Sequence, residues 1–323
     1  MRHAGIEVPL ICGAMYPCSN PELVAAASAA GAIGIVQPVS LTYVHGYEYR
    51  AGLRYIRSLT DRPIGLNALI EASSQAYHQR MVRFVNVAIE EGIRFVVTSL
   101  GNPRWVADAL HAAGGFVYHD VTERKWALKA RDGGVDGFIA VNARAGGHAG
   151  TLNPDALLAA VGDLGLPVVA AGGVATPREF VSMLARGYAG VQMGTRFIAT
   201  TECNASEAYK RAIIDAGEED IVLTERLTGV PVAVINTPYV RRLGTRVGPI
   251  ARWMFRGRRT KKWIRSFYAL RAMRGLKASL RASDAANEYW QAGRSVSGIE
   301  SIVPAGEVVR ACAEAWRAAS RAR

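Results

Sequence analysis

Between residues 8 and 193 short apolar runs alternate with longer stretches of mixed apolar and polar character. That alternation is the signature of βα repeats laid around a parallel sheet. Eight runs are predicted as strands: 8–12, 33–37, 64–69, 95–99, 116–119, 137–141, 167–171 and 190–193. Several are apolar throughout, as Pro167-Val168-Val169-Ala170-Ala171 shows, which suits strands covered on both faces. The intervening helices carry start signals in Asn20-Pro21, Asn102-Pro103, Asn153-Pro154 and Thr176-Pro177. Each pair puts a capping side chain before a proline whose missing N–H costs nothing in the first turn. Glu179, three residues after Thr176, predicts a capping box. Eight such repeats within the first 220 residues fit a closed (β/α)8 TIM barrel better than an open doubly wound sheet.

The rhythm then changes. Residues 221–236 read as extended structure around Thr228-Gly229-Val230-Pro231, a basic stretch follows, and 305–322 read as a final helix. The expected organisation is a barrel core over 1–220, an extended segment and a basic helical lid over 221–300, and a C-terminal helix over 301–323 that packs back on the barrel.

Composition narrows the class. With 323 residues, 50% hydrophobic and 20% charged, the chain falls in the globular range and outside disordered, collagenous or coiled-coil proteins. Cys12, Cys18, Cys203 and Cys312 have neither the density of a disulfide scaffold nor the spacing of a zinc site. The longest uncharged apolar stretch, 23–36, is 14 residues, short of the ~18 to 20 needed to span a bilayer. Glu7 and Pro9 interrupt any secretory h-region, so a cytoplasmic location is expected. The net charge of +12 is local: fourteen Lys and Arg fall within 241–281, and without them 25 basic residues face 27 acidic ones. This distribution makes nucleic acid an unlikely partner and leaves an acidic carrier protein or anionic lipid as what the basic segment could meet. A lid over the barrel with its charges in solvent is the plainer reading.

In barrels of this kind chemistry sits on the loops after the strands. After the seventh and eighth runs come Gly172-Gly173-Val174 and Gly194-Thr195, where a backbone free of Cβ atoms can approach an anion, matching the recurrent phosphate site of the fold. After the sixth comes Ala145-Gly146-Gly147-His148-Ala149-Gly150. His148 has no bulky neighbour there to pack it, so it is expected to face an open cleft as an acid or base near neutral pH. His119 ends the fifth run and is the only other histidine at a strand end. Metal-ligand spacings, a Gly-x-Ser-x-Gly elbow, a Gly-x-x-x-x-Gly-Lys loop and a Rossmann fingerprint do not occur.

Taken in order, Pro9-Leu10-Ile11-Cys12-Gly13-Ala14-Met15, Gly65-Leu66-Asn67, the Gly146-Gly147-His148 loop, Ala171-Gly172-Gly173-Val174 and Gly190-Val191-Gln192-Met193-Gly194-Thr195-Arg196-Phe197 resemble the nitronate monooxygenase (2-nitropropane dioxygenase) family. The resemblance covers about residues 5–236 and resumes near 290–309. It implies an FMN-binding barrel with the phosphate on Gly172, Gly173, Gly194 and Thr195. The flavin would lie near Gly13, Ala14, Met15, Asn67, His119, Gly146, Gly147 and Met193, with His148 as catalytic base. Two departures stand out: His119-Asp120 where some members carry a lysine near the flavin, and Val141-Asn142-Ala143-Arg144 in place of a Gly-x-Glu pattern. The implied activity is oxidation of alkyl nitronates or nitroalkanes by O2. Two alternatives remain: an NAD(P)H-dependent flavin reductase acting on a quinone or an enoyl thioester, like the enoyl-acyl-carrier-protein reductases, or a scaffold whose basic segment binds an anionic surface.

Overall fold

All eight apolar runs are strands of one closed parallel barrel in the computed structural model, which describes residues 2–71, 75–248, 280 and 289–321. The strands are β1 (Leu10–Cys12), β2 (Ile33–Val36), β3 (Ile64–Ile70), β4 (Phe95–Leu100), β5 (Phe116–Val121), β6 (Gly137–Val141), β7 (Val168–Ala171) and β8 (Gly190–Met193). They pair in chain order, and β1 closes the ring on β8 with Ile11 opposite Gln192. The fold is therefore the (β/α)8 TIM barrel.

Two packed layers follow from the pleat, which sends successive side chains to opposite faces. Ile11, Ile33, Ile35, Phe95, Val97, Tyr118, Ile139, Val169 and Ala171 fill the barrel interior. Their neighbours Leu10, Cys12, Val36, Leu66, Val96, Val117, Phe138, Val168 and Val191 face the helical ring.

Helices α1 (Pro21–Ala29), α2 (Tyr49–Leu59), α3 (Gln75–Glu90), α4 (Arg104–Ala112), α5 (Arg124–Asp132), α6 (Pro154–Val161) and α7 (Pro177–Ala185) alternate with the strands. In α2 the buried positions Tyr49, Gly52, Leu53 and Ile56 follow the 3.6-residue period of one helical face. The four predicted starts behave differently. Asn153 caps through Ala156 N at 2.8 Å, and Thr176 with Glu179 forms the full capping box. Asn102 instead accepts from Arg104 N, and Asn20 makes no cap at all. The Asn20 side chain joins loops, donating to the Glu202 carbonyl at 2.8 Å and accepting from Asn204 N.

Beyond β8 come α8 (Thr195–Ile198) and α9 (Glu207–Asp215), then an antiparallel pair, β9 (Ile221–Thr224) and β10 (Val232–Ile235), and α10 (Pro238–Leu243). The last helix, α11 (Ala305–Arg321), packs against α7 and α1. Most of the basic segment 241–281, including the predicted lid, lies outside the described residues. Among the described residues no helix is long and apolar enough to cross a membrane.

Helix α1 backs onto β2 without clearance. A Cβ added at Gly34 would stand 2.2 Å from the Val24 carbonyl oxygen, and Gly34 N already donates to Ser28 Oγ at 2.9 Å. Because the obstacle is backbone, Gly34→Ala should lower the unfolding free energy by about 3 kcal/mol, the upper part of the usual range for overpacking. Urea unfolding followed by circular dichroism measures this. A loss below about 0.5 kcal/mol would show that α1 can slide away from β2.

Candidate active site

At the C-terminal mouth of the barrel the inner register changes from aliphatic to polar. Gly65 would thrust a Cβ into Ile35 and Phe95, so it faces inward, and the alternation turns Asn67 inward two residues later. Tyr118 belongs to the inner cluster, which places Asp120 above it in the same direction. On β8 the inward residue is Gln192, whose side chain lies over Gly13: a Cβ on that glycine would be 2.9 Å from Gln192 Cγ. Neither the Asn67 nor the Gln192 side chain makes a hydrogen bond within the described residues. Asp120 Oδ1 is shut away from water and also lacks a partner. Buried polar atoms in proteins are nearly always paired, so the unpaired Asp120 Oδ1, beside two accessible amides that bond to nothing among the described residues, marks a place suited to something polar.

His148 enters from the loop after β6. Its side chain presents area to solvent yet is surrounded by protein on most sides, the situation of a group in a cleft wall, and this burial lowers its pKa below 6.5. At pH 7 it is therefore neutral. Thr228 Oγ1 lies 3.5 Å from His148 Nε2, at the outer limit of a hydrogen bond. The loop itself is tied to β10 by a reciprocal pair: Ala233 N donates to the Gly147 carbonyl at 2.7 Å, and Gly147 N to the Ala233 carbonyl at 3.3 Å.

The glycines around His148 serve the protein before any ligand. Gly172 has φ +112° and Gly173 φ +76°, conformations that other residues rarely adopt. A Cβ on Gly172 would stand 2.6 Å from Ala145 N, and one on Gly173 2.5 Å from Arg144 Nε. Gly146 meets Gly293 N at 2.8 Å by the same construction. Gly194 differs, with negative φ and nothing nearer than Met15 at 3.7 Å. None of the backbone N–H groups of Gly172, Gly173, Val174, Gly194 and Thr195 finds an acceptor among the described residues. Unused donors on two adjacent loops are what an anion needs. The Thr195 hydroxyl accepts from Gly293 N at 3.0 Å, which fixes the loop after β8 to the returning chain.

The structure thus brings Gly13, Asn67, Gly146, Gly147, His148, Gly172, Gly173, Gly194 and Thr195 to one end of the barrel. Ala14 packs against the inner cluster, and Met15 lies beside Gly194. It does not bring His119 or the Met193 side chain there. Val117, His119 and Val121 share the outer face of β5, where Thr98 Oγ1 lies 2.8 Å from His119 Nδ1 and burial pushes the imidazole down to about 4. Met193 packs in the same outer layer.

Sequence reasoning overlooked Gln192, Thr228 and the 290–293 return, and it treated Asp120 only as a departure. Gln192 had a local signal, a lone polar residue inside an apolar run. Thr228 and 290–293 had none, since their importance lies in contacts distant along the chain. Arg144, the second departure, forms a bidentate pair with Glu218 at 2.8 Å for both bonds, and Arg294 joins Glu218 at 3.3 Å.

The sequence profile of the family described as nitronate monooxygenase matches residues 1–314. A Mycobacterium tuberculosis protein named (3aS,4S,5R,7aS)-5-hydroxy-7a-methyl-1-oxo-octahydro-1H-indene-4-carboxyl-CoA dehydrogenase is 32% identical over 74% of this chain. This chain spans only 66% of that relative's length. A Staphylococcus saprophyticus protein named probable nitronate monooxygenase is 28% identical over 74% of this chain and 78% of its own. Among solved structures, FabK from Thermotoga maritima superposes with a TM-score of 0.79 at 27% identity, covering 99% of this chain and 96% of that one.

The different roles of the glycines are testable without any ligand. Gly172→Ala should cost about 1–3 kcal/mol, through positive φ and the collision with Ala145. Gly194→Ala should change stability by less than about 0.5 kcal/mol. Parallel urea titrations of the two variants measure the contrast, and equal losses would contradict it.

Proposed function

The chain belongs to the nitronate monooxygenase family; from that premise we propose that it is a flavin-dependent oxidoreductase that binds FMN and oxidises alkyl nitronates or nitroalkanes with O2. The observation that carries this reading is the juxtaposition of a partly shielded, neutral His148 with unpaired Asn67 and Gln192 and with the unused N–H groups of the two loops after β7 and β8. The residues fit the cofactor: free backbone donors and the open space at Gly194 suit its phosphate, and the unpaired amides suit the polar edge of its ring. When bound, FMN supplies the electron acceptor that amino-acid side chains lack.

The protein's own part is acid–base chemistry and orientation. His148, neutral at pH 7, takes the proton from the carbon beside a nitro group and leaves the nitronate anion. Asn67 and Gln192 orient the ring, and the loops carrying Gly172, Gly173, Gly194 and Thr195 hold the phosphate. Gly13, Ala14 and Met15 line the approach beside Gly194. In this reading 1–220 is the catalytic core, and the later residues back its loops.

A second reading takes the same barrel to act on a thioester with NAD(P)H as the electron source; the 32% identity to a carboxyl-CoA dehydrogenase favours its thioester part alone, since a dehydrogenase withdraws electrons from its substrate. The fourteen basic residues of 241–281 would then meet the anionic carrier of that thioester, whether coenzyme A or an acidic protein. Anaerobic bleaching of the flavin by NADH or NADPH supports this reading. Aerobic turnover of a nitronate without pyridine nucleotide supports the first.

Two variants test the site. Gly194→Leu should leave the fold intact and lower FMN occupancy, read from visible absorbance of the purified protein; full occupancy would remove the phosphate assignment. His148→Ala should retain FMN and slow turnover of a neutral nitroalkane by about 10² to 10⁴ fold, the usual worth of a positioned base. Its effect should be smaller on a preformed nitronate, whose proton is already gone. Equal effects on both substrates would exclude His148 as the base.

A further inference from the structure

We propose that Asp120 is a neutral carboxylic acid that donates a hydrogen bond to an acceptor atom of the bound flavin ring, an inference that rests on the flavin reading above. Its place in the barrel comes first. Asp120 follows Tyr118 in the inner register of β5 and stands opposite Ile139 of β6. It therefore points into the mouth that Asn67 and Gln192 also line. Oδ1 is out of reach of water and has no partner, and no hydrogen bond to either carboxyl oxygen occurs within the described residues; the residue as a whole is half-buried, its remaining accessible area being the part that can meet a ligand.

Charge accounting decides the form of the group. A buried carboxylate survives only beside donors or a cation, whereas a carboxylic acid needs only one acceptor. The groups around Asp120 supply no such charge. Ile139 across the β6 side is aliphatic, and the Tyr118 phenol below reaches the opposite end of the barrel, where it meets His3 at 3.1 Å. His119 turns outward to Thr98 and is uncharged at neutral pH. On β3 the inward neighbour is the neutral Asn67, and His148, on the loop after β6, is neutral as well. Burial alone raises the Asp120 carboxyl to about 7. The acid thus holds a proton with nowhere in the protein to donate it, at a site that faces the ligand.

The sign of the resulting pH dependence is fixed. Below pH 7 the donor is present. Above it Asp120 ionises, the hydrogen bond is lost, and a negative charge faces the acceptor. If binding requires the acid form, the dissociation constant for FMN rises about tenfold per pH unit above that point.

The experiment titrates FMN into the cofactor-depleted protein between pH 6 and 9, reading quenching of flavin fluorescence, for the native chain, Asp120→Asn and Asp120→Leu. The native chain should lose affinity as pH rises. Asp120→Asn, neutral and still a donor, should bind within a few fold of the native value at pH 6 and show no loss at pH 9. Asp120→Leu should bind about tenfold more weakly at every pH. A protonated-carboxyl infrared band present in the native chain at pH 6 and absent from Asp120→Asn gives a readout independent of FMN. Matching pH profiles for the native chain and Asp120→Asn, or no such band, overturn the donor role and leave the flavin reading standing. Failure of all three proteins to bind FMN overturns both. Should the variants not fold, the infrared band of the native chain with isotope-labelled aspartate, followed from pH 6 to 9, decides alone: its loss on raising pH supports the proposal, and its absence at pH 6 ends it.

Discussion

Everything at the mouth of this barrel depends on backbones meeting where side chains have been removed. The loop after β6 lies between the loop after β7 and the returning segment that ends at Gly293, and both contacts are closer than a methyl group allows. Gly172 would strike Ala145 N, Gly293 would strike Gly146 N at 2.6 Å, and Gly146 would strike Gly293 N. Excluding Cβ atoms on both sides lets peptide groups bond directly: Arg294 N to the Arg144 carbonyl at 2.9 Å, and Gly147 to Ala233 in both directions. His148 hangs from a loop clamped on two sides, so the scaffold holds rigidly the backbone that presents this side chain at the barrel mouth.

The barrel was legible because each strand is covered on both faces, so apolar runs bounded by turn residues stand out against the helices. The same property concealed orientation. In Phe138-Ile139 or Val168-Val169 both residues are fully apolar, and nothing in the sequence says which faces the barrel axis. The ambiguity fell hardest on His119 and Asp120. Histidine is the more familiar participant in catalysis, yet the pleat turns it toward Thr98 and gives the mouth to the acid. Asn20 misled for a related reason. Asn before Pro at a helix start satisfies the local rule for a cap, but the stronger use of its amide was to hold Glu202 and Asn204 from a distant loop.

The two departures from the family pattern behave as separate adjustments. Arg144 replaces an expected acid on the loop after β6, and Glu218 meets it from beyond the barrel. Both partners are about one-third exposed, so the pair contributes little energy. Its bidentate geometry nonetheless joins the loop after β6 to the segment before β9 and, through Arg294, to the returning chain. Asp120 lies on the other side of the mouth, where no charge is balanced at all. One departure exchanges charges at the rim, and the other stores a proton inside.

The clamp on the His148 loop also sets an order of assembly. Residues that complete the barrel leave the ribosome first, and the cylinder can close as soon as β8 pairs with β1. Ala233 and Gly293, which hold the loop, arrive only afterwards. Synthesis therefore supplies every strand of the barrel before it supplies the residues that back the histidine loop. The loop thus waits on the part of the chain that adds no strand to the barrel.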